Sequence, residues 1–266
     1  MLDELRPFLE DLSRGQFRRA LTDNRVFRAW FRAGYPSTPR QQALIMFNNV
    51  FLHLHPVRIR RESLRITYTF CLGGLSFFLF LLLTITGVLL MFYYRPATSV
   101  AYQDMKDLDT LINFGLLLRN MHRYSAHGMV IVVFLHMLRV FYTGSYRPPR
   151  EFNWAIGAIL LFCTFFLSFT GYLLPWDQLG IWAVTVGTNM AGATPFVGEQ
   201  VRFLLIGGYE ISDNTLIRWY VLHVIGMPLL TAVLIAVHFW RIRKDGGISG
   251  PAPVMLESEM KELKKI

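Results

Sequence analysis

Four histidines in two apolar segments constrain this chain more than any other feature of its sequence. His122 and His136 are 14 residues apart, and His223 and His238 are 15 apart. An α-helix rises about 1.5 Å and turns about 100° per residue, so each interval spans roughly 21–22 Å and returns the second imidazole to within roughly 40–60° of the first. That rise is about two-thirds of the hydrocarbon core of a bilayer. Each segment therefore predicts a membrane helix with one imidazole near each surface.

Two such helices side by side would form two histidine pairs, stacked across the membrane. Imidazole pairs in the apolar core of a helix bundle suit the axial coordination of b-type haem iron, and two haems at this separation would form an electron path across the bilayer. A single histidine inside a span is more often a packed polar residue, but the repeated interval favours ligands. His127 has no counterpart in the fourth apolar segment and is predicted not to be a ligand.

The apolar composition predicts an all-α membrane protein. Of the 266 residues, 53% are hydrophobic, and the runs long enough to span a bilayer lie near 69–94, 120–143, 154–174 and 215–240. Residues 175–215 are too long and too apolar for a solvated turn, so short helices are expected there on the membrane surface. The predicted fold is a four-transmembrane-helix dihaem bundle with short surface helices between the third and fourth spans and an N-terminal amphipathic extension.

The distribution of positive charge predicts the orientation of the spans. Lys and Arg outnumber Asp and Glu by 27 to 18, an excess that can indicate a nucleic-acid partner. Here the cations are concentrated before the first span, in the turn after the second and in the tail, as the positive-inside rule describes. We therefore expect an integral protein of a prokaryotic inner membrane, with both termini cytoplasmic, no cleavable signal peptide and no nucleic-acid partner.

Composition also divides the chain into three parts. Residues 1–66 mix arginines with Phe, Leu and Trp, which predicts an amphipathic extension that lies on the membrane surface or docks a partner subunit. Residues 67–245 hold the four spans, and 246–266 form a cytoplasmic tail. His53 and His55 alternate and do not share a helical face, so a metal site there is not expected. The two cysteines lie in predicted spans without a CxxCH motif, which disfavours a disulfide and an ordinary c-type haem.

Glycines repeat the histidine interval in the two spans that lack paired histidines. Gly73 and Gly87 are 14 residues apart, and so are Gly157 and Gly171. Small residues are common wherever membrane helices pack closely, which explains any one such pair. The same interval in all four spans favours glycines that leave room for a haem at each level.

Three segments of the chain resemble the cytochrome b/b6 family of quinol-oxidising complexes: LLLRNMHRYSAHGMVIVVFLHMLRVFYTGSYRPPRE, GYLLPWDQLGIWAVTV and TLIRWYVLHVIGMPLLTAVLIAVHFWRIRKDGGISGP. The resemblance covers roughly residues 65–252. It is greatest to the shorter b6-type form, which has four spans, a second histidine interval of 15 and the segment FCLGG. It implies that His122 and His223 ligate the haem nearer the extracytoplasmic side, and that His136 and His238 ligate the haem nearer the cytoplasmic side.

The resemblance also implies roles for other residues. Cys71 would attach a third haem, called cn or ci, through a single thioether. Arg243 would lie near this extra haem and the cytoplasmic-side quinone pocket. Haem-propionate contacts are implied for four arginines, although anchoring at the membrane interface explains some of them nearly as well. They are Arg119, Arg123, Arg218 and Arg139.

One wall of the quinol-oxidising pocket is implied as well, at Trp182, Ala183, Val184 and Thr185. The PEWY-type motif that completes this pocket in the family is absent from the chain. The rest of the pocket is therefore expected on a separate subunit, and no catalytic acid or base is assigned.

The implied function is that of the cytochrome b subunit of a quinol:cytochrome c oxidoreductase, or of one with another c-type acceptor. The chain would carry electrons between quinol-oxidising and quinone-reducing sites and contribute to proton translocation, as an enzyme only within its complex. Implied partners are a subunit-IV-like membrane protein, a Rieske iron–sulfur protein and a c-type cytochrome, in a dimeric complex surrounded by lipid. Two alternatives remain open: a dihaem membrane anchor of a dehydrogenase or hydrogenase, and a haem-free scaffold.

Overall fold

The structure, a computed structural model, describes residues 38–48 and 61–250. They belong to two compact units, Met1–Arg58 and Ile59–Ile266. In the first unit, helix α1 covers Pro39–Asn48. Its start is capped reciprocally, because the Gln41 amide donates to Thr38 Oγ1 at 3.2 Å and the Thr38 amide donates to Gln41 Oε1 at 3.3 Å.

Parts of the predicted extension and tail lie outside the described residues. These parts are 1–37, which holds most of the predicted amphipathic segment, 49–60 with His53 and His55, and 251–266 of the tail. The second unit begins at Ile59, eight residues before the predicted boundary at 67. The start of the predicted tail is held by this unit, since the hydroxyls of Ser249 and Ser145 lie 2.6 Å apart.

All regular elements of the second unit between residues 61 and 250 are helical. In chain order they are a 3-10 turn at Arg61–Leu64, α2 at Ile66–Thr69, α3 at Leu72–Met91, α4 at Ala101–Thr110, α5 at Gly115–Tyr142, α6 at Glu151–Leu173, α7 at Gln178–Gly192, α8 at Gly198–Ile206, α9 at Asp213–Val221, a π turn at Leu222–Gly226 and α10 at Met227–Lys244.

Four helical runs of the second unit are long and apolar enough to cross a membrane. They are α3, α5, α6 and the continuous run from α9 to α10, with 20, 28, 23 and 32 residues. At about 1.5 Å per residue, even the shortest matches a hydrocarbon core of about 30 Å. The prediction of an all-α integral membrane protein with four membrane helices is therefore confirmed.

The spans pack in chain order, α3 on α5, α5 on α6 and α6 on α10. Gly73 of α3 lies against His136 of α5, and Gly87 lies against His122, so these two helices run antiparallel. Many apolar side chains on the outer faces remain exposed in the single chain, such as Phe78 at 58%. Helices that are apolar on all sides are expected to face lipid or other membrane subunits.

The short helices between the third and fourth spans, α7 and α8, lie where the sequence predicts them. Asp177 caps α7 by accepting a hydrogen bond from the Gly180 amide at 2.8 Å. Beside them is the main buried core, which joins the ends of the spans to α7: Tyr94, Ala101, Leu173, Trp176, Val184, Leu216 and Trp219. The Tyr94 hydroxyl donates to the Leu174 carbonyl at 2.7 Å and so links the ends of α3 and α6.

The helix boundaries differ from the predicted ones by a few residues. The first span does not begin at 69, because Phe70 and Cys71 have positive φ angles of 48° and 52°. Two successive left-handed residues cannot continue a right-handed helix, so α2 ends at Thr69 and α3 starts at Leu72. The other spans begin earlier than predicted, at 115, 151 and 213, because hydrogen-bonded helices continue into polar flanks that an apolar run does not include.

A π turn interrupts the fourth span at Leu222–Gly226 and contains His223. Pro228 follows immediately, in the first turn of α10. A proline inside a helix has no amide hydrogen, and its ring clashes with the carbonyl four residues earlier. The wider π turn relieves that clash, and such turns are often found at functional sites.

An ion pair between an exposed arginine and a buried carboxylate holds the connection after the first span. Asp104 on α4 is 5% exposed and accepts hydrogen bonds from the Arg95 amide at 2.9 Å and from Arg95 Nε at 3.1 Å. These hydrogen bonds from Arg95 hold the pKa of the Asp104 carboxyl below its ordinary value.

Asp104→Asn is therefore expected to lower the free energy of unfolding by about 0.5–1 kcal/mol, because Arg95 is exposed and solvent screens the pair. Because the folded pKa is lower than the unfolded value of about 3.9, the wild-type pair is fully stabilising above that value and loses its effect as pH falls through the folded pKa. Thermal unfolding in detergent between pH 3 and pH 7 should show this loss in the wild type and a smaller pH dependence in the variant. Asp107→Asn is the matched control, and an equal effect of both variants would contradict the assignment.

Candidate functional site

The four histidines form two pairs within the helix bundle. In the first pair, His122 and His223, the ring centroids are 6.3 Å apart and the ring planes differ by 75°. In the second pair, His136 and His238, these values are 6.5 Å and 79°. Two imidazoles that share one metal through bonds of about 2.0–2.1 Å place their centroids roughly 6 Å apart. Both pairs thus have the separation of two axial ligands on a single metal ion.

Each histidine lies against one of the repeated glycines on a neighbouring helix. A Cβ added at the glycine would approach the Cε1 atom of the facing imidazole at these distances: 3.2 Å for Gly73 and His136, 3.2 Å for Gly87 and His122, 3.8 Å for Gly157 and His238, and 2.6 Å for Gly171 and His223. The glycines thus make room for the imidazoles themselves, and room for a haem at each level stays a prediction. Each imidazole lies against the adjacent helix at the position of the glycine.

Two threonines fix the tautomer of the first pair. Thr86 Oγ1 lies 2.9 Å from His122 Nδ1 and donates its single hydrogen to the Leu82 carbonyl at 2.7 Å. With its hydrogen on that carbonyl, the hydroxyl can accept from His122 Nδ1–H, an assignment that leaves Nε2 unprotonated and able to bind a metal. The Thr170 hydroxyl repeats this arrangement, 2.9 Å from His223 Nδ1, and donates to a backbone carbonyl at 3.0 Å.

The second pair has no such hydroxyls. His136 Nδ1 and His238 Nδ1 are buried and lack a side-chain hydrogen-bond partner among residues 38–48 and 61–250. Buried polar atoms without partners are uncommon in folded proteins, and each one needs an explanation. Metal ligation through Nε2 would explain why neutral imidazoles stay in this apolar place, and it would leave the ring hydrogen on Nδ1, where the backbone of Asn153 interacts with His238.

A mostly apolar cavity adjoins the first pair and lies between all four spans. Its walls include Gly87 and Val88 of α3, Ala126 and Met129 of α5, Leu167 of α6, and Pro228 of α10, together with His122 and His223. In the described part of the chain, no group of three or more His, Cys, Asp or Glu side chains could hold a metal ion. The two-ligand pairs beside an apolar cavity instead fit a metal held in a planar organic ring such as haem.

Cys71 is an exposed free thiol at the start of α3. It stands two residues before Gly73, which lies against His136. The cysteine thus lies at the same level of the bundle as the second pair, where the resemblance implies an additional haem. Its exposure and its position outside the regular helix leave the sulfur accessible for a thioether bond.

The four arginines expected at propionates have different surroundings. Arg119 forms an ion pair with Asp109, and Arg218 donates to the Leu204 carbonyl at 2.8 Å. Arg123 is exposed. Arg139 is half-buried near His136, and its Nε is buried without a hydrogen-bond partner among the described residues. Arg139 is therefore the member of this group that most needs an anion. Arg243 lies in the last turn of α10, near the end of the bundle that holds the second pair.

The predicted wall of the quinol pocket is divided between two faces of α7. Trp182 is 59% exposed, whereas Val184 is fully buried in the core beside the surface helices. Thr185 donates to the Ile181 carbonyl at 2.7 Å. Four consecutive helical residues, here including the half-buried Ala183, cover about 300° of the helix surface, so they cannot all face one pocket.

Sequence reasoning missed Thr86 and Thr170. A signal for them was present, since each is the residue directly before a repeated glycine, in the dipeptides Thr86–Gly87 and Thr170–Gly171. His127, predicted not to be a ligand, is exposed and packs edge-on against Tyr124, with ring centroids 6.1 Å apart.

Comparison with known proteins agrees with this arrangement. A family profile described as Cytochrome b/b6/petB matches residues 59–246. Cytochrome b6 of Porphyra purpurea is 47% identical over 182 residues, which are 68% of this chain and 84% of that protein. Cytochrome b6 of Heliobacterium mobile is 43% identical over 197 residues, 74% of this chain and 90% of that protein.

A similar solved structure is a chain of a hyperthermophilic respiratory Complex III, with a TM-score of 0.65 and 30% sequence identity. The match covers 72% of this chain and 51% of the other, so this chain spans about half the length of that protein. The range that the family profile matches includes both histidine pairs and all four spans. The chain therefore belongs to the cytochrome b/b6 family, whose members bind haem b.

Proposed function

We propose that this chain is the cytochrome b6-type subunit of a quinol-oxidising complex and carries one electron of each quinol across the membrane. The observation that supports it most directly is the presence of two imidazole pairs, with ring centroids 6.3 and 6.5 Å apart. The ligand intervals of 14 and 15 residues separate the two pairs by roughly 21–22 Å along the bundle. The complex would pass the other electron to a Rieske iron–sulfur protein and then to a c-type acceptor.

Each histidine pair would hold one haem b, which supplies one-electron redox chemistry when bound. His122 and His223 would ligate the haem nearer the extracytoplasmic side, and His136 and His238 the haem nearer the cytoplasmic side. The protein would contribute orientation and exclusion of water. Glycines let the imidazoles approach the neighbouring helices, and the apolar walls of the bundle keep water from the ligands.

On the cytoplasmic side, Cys71 would hold a third haem, of the cn or ci type, by a thioether. Arg139, with a buried Nε that lacks a partner among the described residues, would pair with a haem propionate. Arg119, Arg123 and Arg218 would do so from the other side. Arg243 would contribute to a quinone-reducing pocket beside the third haem.

The remaining parts of the proposal concern partners. The described part of α7 exposes Trp182, which would contribute to a quinol-oxidising pocket completed by a subunit-IV-like membrane protein. The whole would be a dimeric assembly in a prokaryotic energy-transducing membrane, with both ends of this chain on the cytoplasmic side. Protons would be released outside and taken up inside, so the chain would contribute to proton translocation.

A pyridine haemochrome analysis of the purified complex, before and after acid–acetone extraction, tests the cofactor set. We expect two extractable haem b groups and one retained haem for each copy of this chain. Cys71→Ser should abolish only the retained haem, because serine cannot form the thioether, whereas Cys163→Ser is the control at a buried cysteine. Two haem b groups with none retained in the wild type would remove Cys71 from the site. No haem at all would leave a scaffold, and the absence of a co-purified Rieske protein would favour a dihaem anchor.

A further inference from the structure

The two histidine pairs are almost identical in ring geometry but differ in their hydrogen bonds. Centroid separations of 6.3 and 6.5 Å and interplanar angles of 75° and 79° leave little difference in ring orientation. In the first pair, each Nδ1 lies 2.9 Å from a threonine hydroxyl that can accept its hydrogen. The second pair has no side-chain partner for either Nδ1 within the described residues. These hydroxyls are therefore a clear difference between the side-chain surroundings of the two pairs.

The sequence places the hydroxyls at equivalent positions. Each of the four glycines that face a histidine is preceded by a residue on the same helix. At the first pair these residues are Thr86 and Thr170, and at the second pair they are Leu72 and Ile156. Backbone contacts differ less between the pairs, because His122 and His223 each interact with a backbone group of the facing helix and so does His238 of the second pair. The side chain before the glycine is the variable element.

We propose that Thr86 and Thr170 are positioning residues that lower the reduction potential of the haem held by the first pair relative to that of the second. A histidine that donates its second ring hydrogen becomes a more basic ligand, and a more basic ligand stabilises ferric over ferrous iron. The inference rests on the proposed function, since it concerns haems that these pairs would hold.

The consequence for the function is a direction of electron flow. One electron passes from the ferrous haem at the first pair, which is oxidised to ferric, to the ferric haem at the second pair, which is reduced to ferrous. A lower potential at the first pair makes this transfer favourable. In the proposed orientation the electron then moves from the extracytoplasmic to the cytoplasmic side. The two hydroxyls would therefore favour electron transfer toward the cytoplasmic side.

Optical potentiometry of the purified complex, with the electron paramagnetic resonance signals of the two ferric haems as a second readout, tests the proposal. Thr86→Val and Thr170→Val should each raise the midpoint potential of the first haem, and the double variant should raise it further. The second haem should not shift. Thr86→Ser should keep the wild-type potential, because serine retains the hydroxyl.

Thr164→Val is the matched control. Thr164 is buried and lines the same cavity, but its hydroxyl donates to the Leu160 carbonyl at 2.9 Å and contacts neither histidine. This variant should leave both potentials unchanged. If it raised the potential of the first haem as much as Thr86→Val does, general polarity of the cavity would explain the effect, and the proposal would be overturned.

The opposite substitution keeps the test decisive even if a valine variant does not assemble. Ile156→Thr places a hydroxyl before Gly157, at the position that Thr170 occupies before Gly171. It should lower the midpoint potential of the second haem and leave the first unchanged. An unchanged or raised second potential would overturn the role of these hydroxyls while leaving the dihaem function intact. A complex that contains no haem would overturn the proposed function itself, and this inference with it.

Discussion

Gly171→Ala is expected to remove the haem of the first pair and to leave the second in place. A Cβ at this position would lie 2.6 Å from His223 Cε1 and 3.2 Å from His223 Nε2. His223 is also held by its hydrogen bond to Thr170, which is on the same helix as Gly171. The ring therefore cannot move aside without losing that bond. Overpacking a tight contact costs about 1–3 kcal/mol, and here the displaced atoms include the proposed ligand nitrogen.

Haem b content per chain should therefore fall from two to one in Gly171→Ala, measured as the pyridine haemochrome. Gly157→Ala is the matched control, because its Cβ would lie 3.8 Å from His238 Cε1, an ordinary van der Waals distance. The control should retain both haems. Equal loss in the two variants would show that helix packing in general, and not the approach to one imidazole, requires these glycines.

His136→Leu is expected to eliminate the haem of the second pair selectively. The substitution removes the proposed ligand and fills its place with an apolar side chain of similar size, so the bundle keeps its packing. One haem b per chain should remain, and quinol should still reduce it, while no electron reaches the cytoplasmic side.

The control for this experiment is His127→Leu, because His127 lies on the same helix as His136 and is exposed. It should retain two haem b groups, and the redox difference spectrum should match that of the wild type. Loss of both haems in His136→Leu, with the complex still assembled, would contradict independent sites for the two pairs.

The fold of this chain and the proximity of its histidines are largely predictable from its sequence. Membrane helices need long apolar runs, and an amino-acid sequence displays these directly. The four histidines stand out because a polar residue inside a span requires a reason, and the similar intervals on two helices place one histidine of each helix at each level of the bundle. The structure brings together the pairs that this reasoning predicts, His122 with His223 and His136 with His238.

Other features depend on side-chain directions that a linear pattern does not contain. The repeated glycines were expected to make room for a haem, but the nearest obstacle to a side chain there is the imidazole. The hydroxyls of Thr86 and Thr170 reach the histidines from a neighbouring helix, so their role appears only when the helices are packed. Trp182 and Val184 were assigned to one wall, and the turn of α7 places the first outward and the second inward.

The unequal ligand intervals also have a structural explanation that a count of residues does not give. At about 100° per residue, 14 and 15 residues end roughly 100° apart on a regular helix. The π turn at Leu222–Gly226 contains one more residue than an α turn would and overlaps the start of the longer interval. Both intervals can therefore place their histidines on equivalent faces.

This turn also bears on how such a chain can change in length without losing its cofactors. A single codon inserted within a membrane helix would normally rotate everything beyond it and misplace a distant ligand. Where a π turn accommodates the added residue, the rest of the helix keeps its orientation about the helix axis. His238 and the basic end of α10 then face the same direction as before the insertion. One insertion event could thus convert a chain with two equal ligand intervals into a chain like this one in a single viable step.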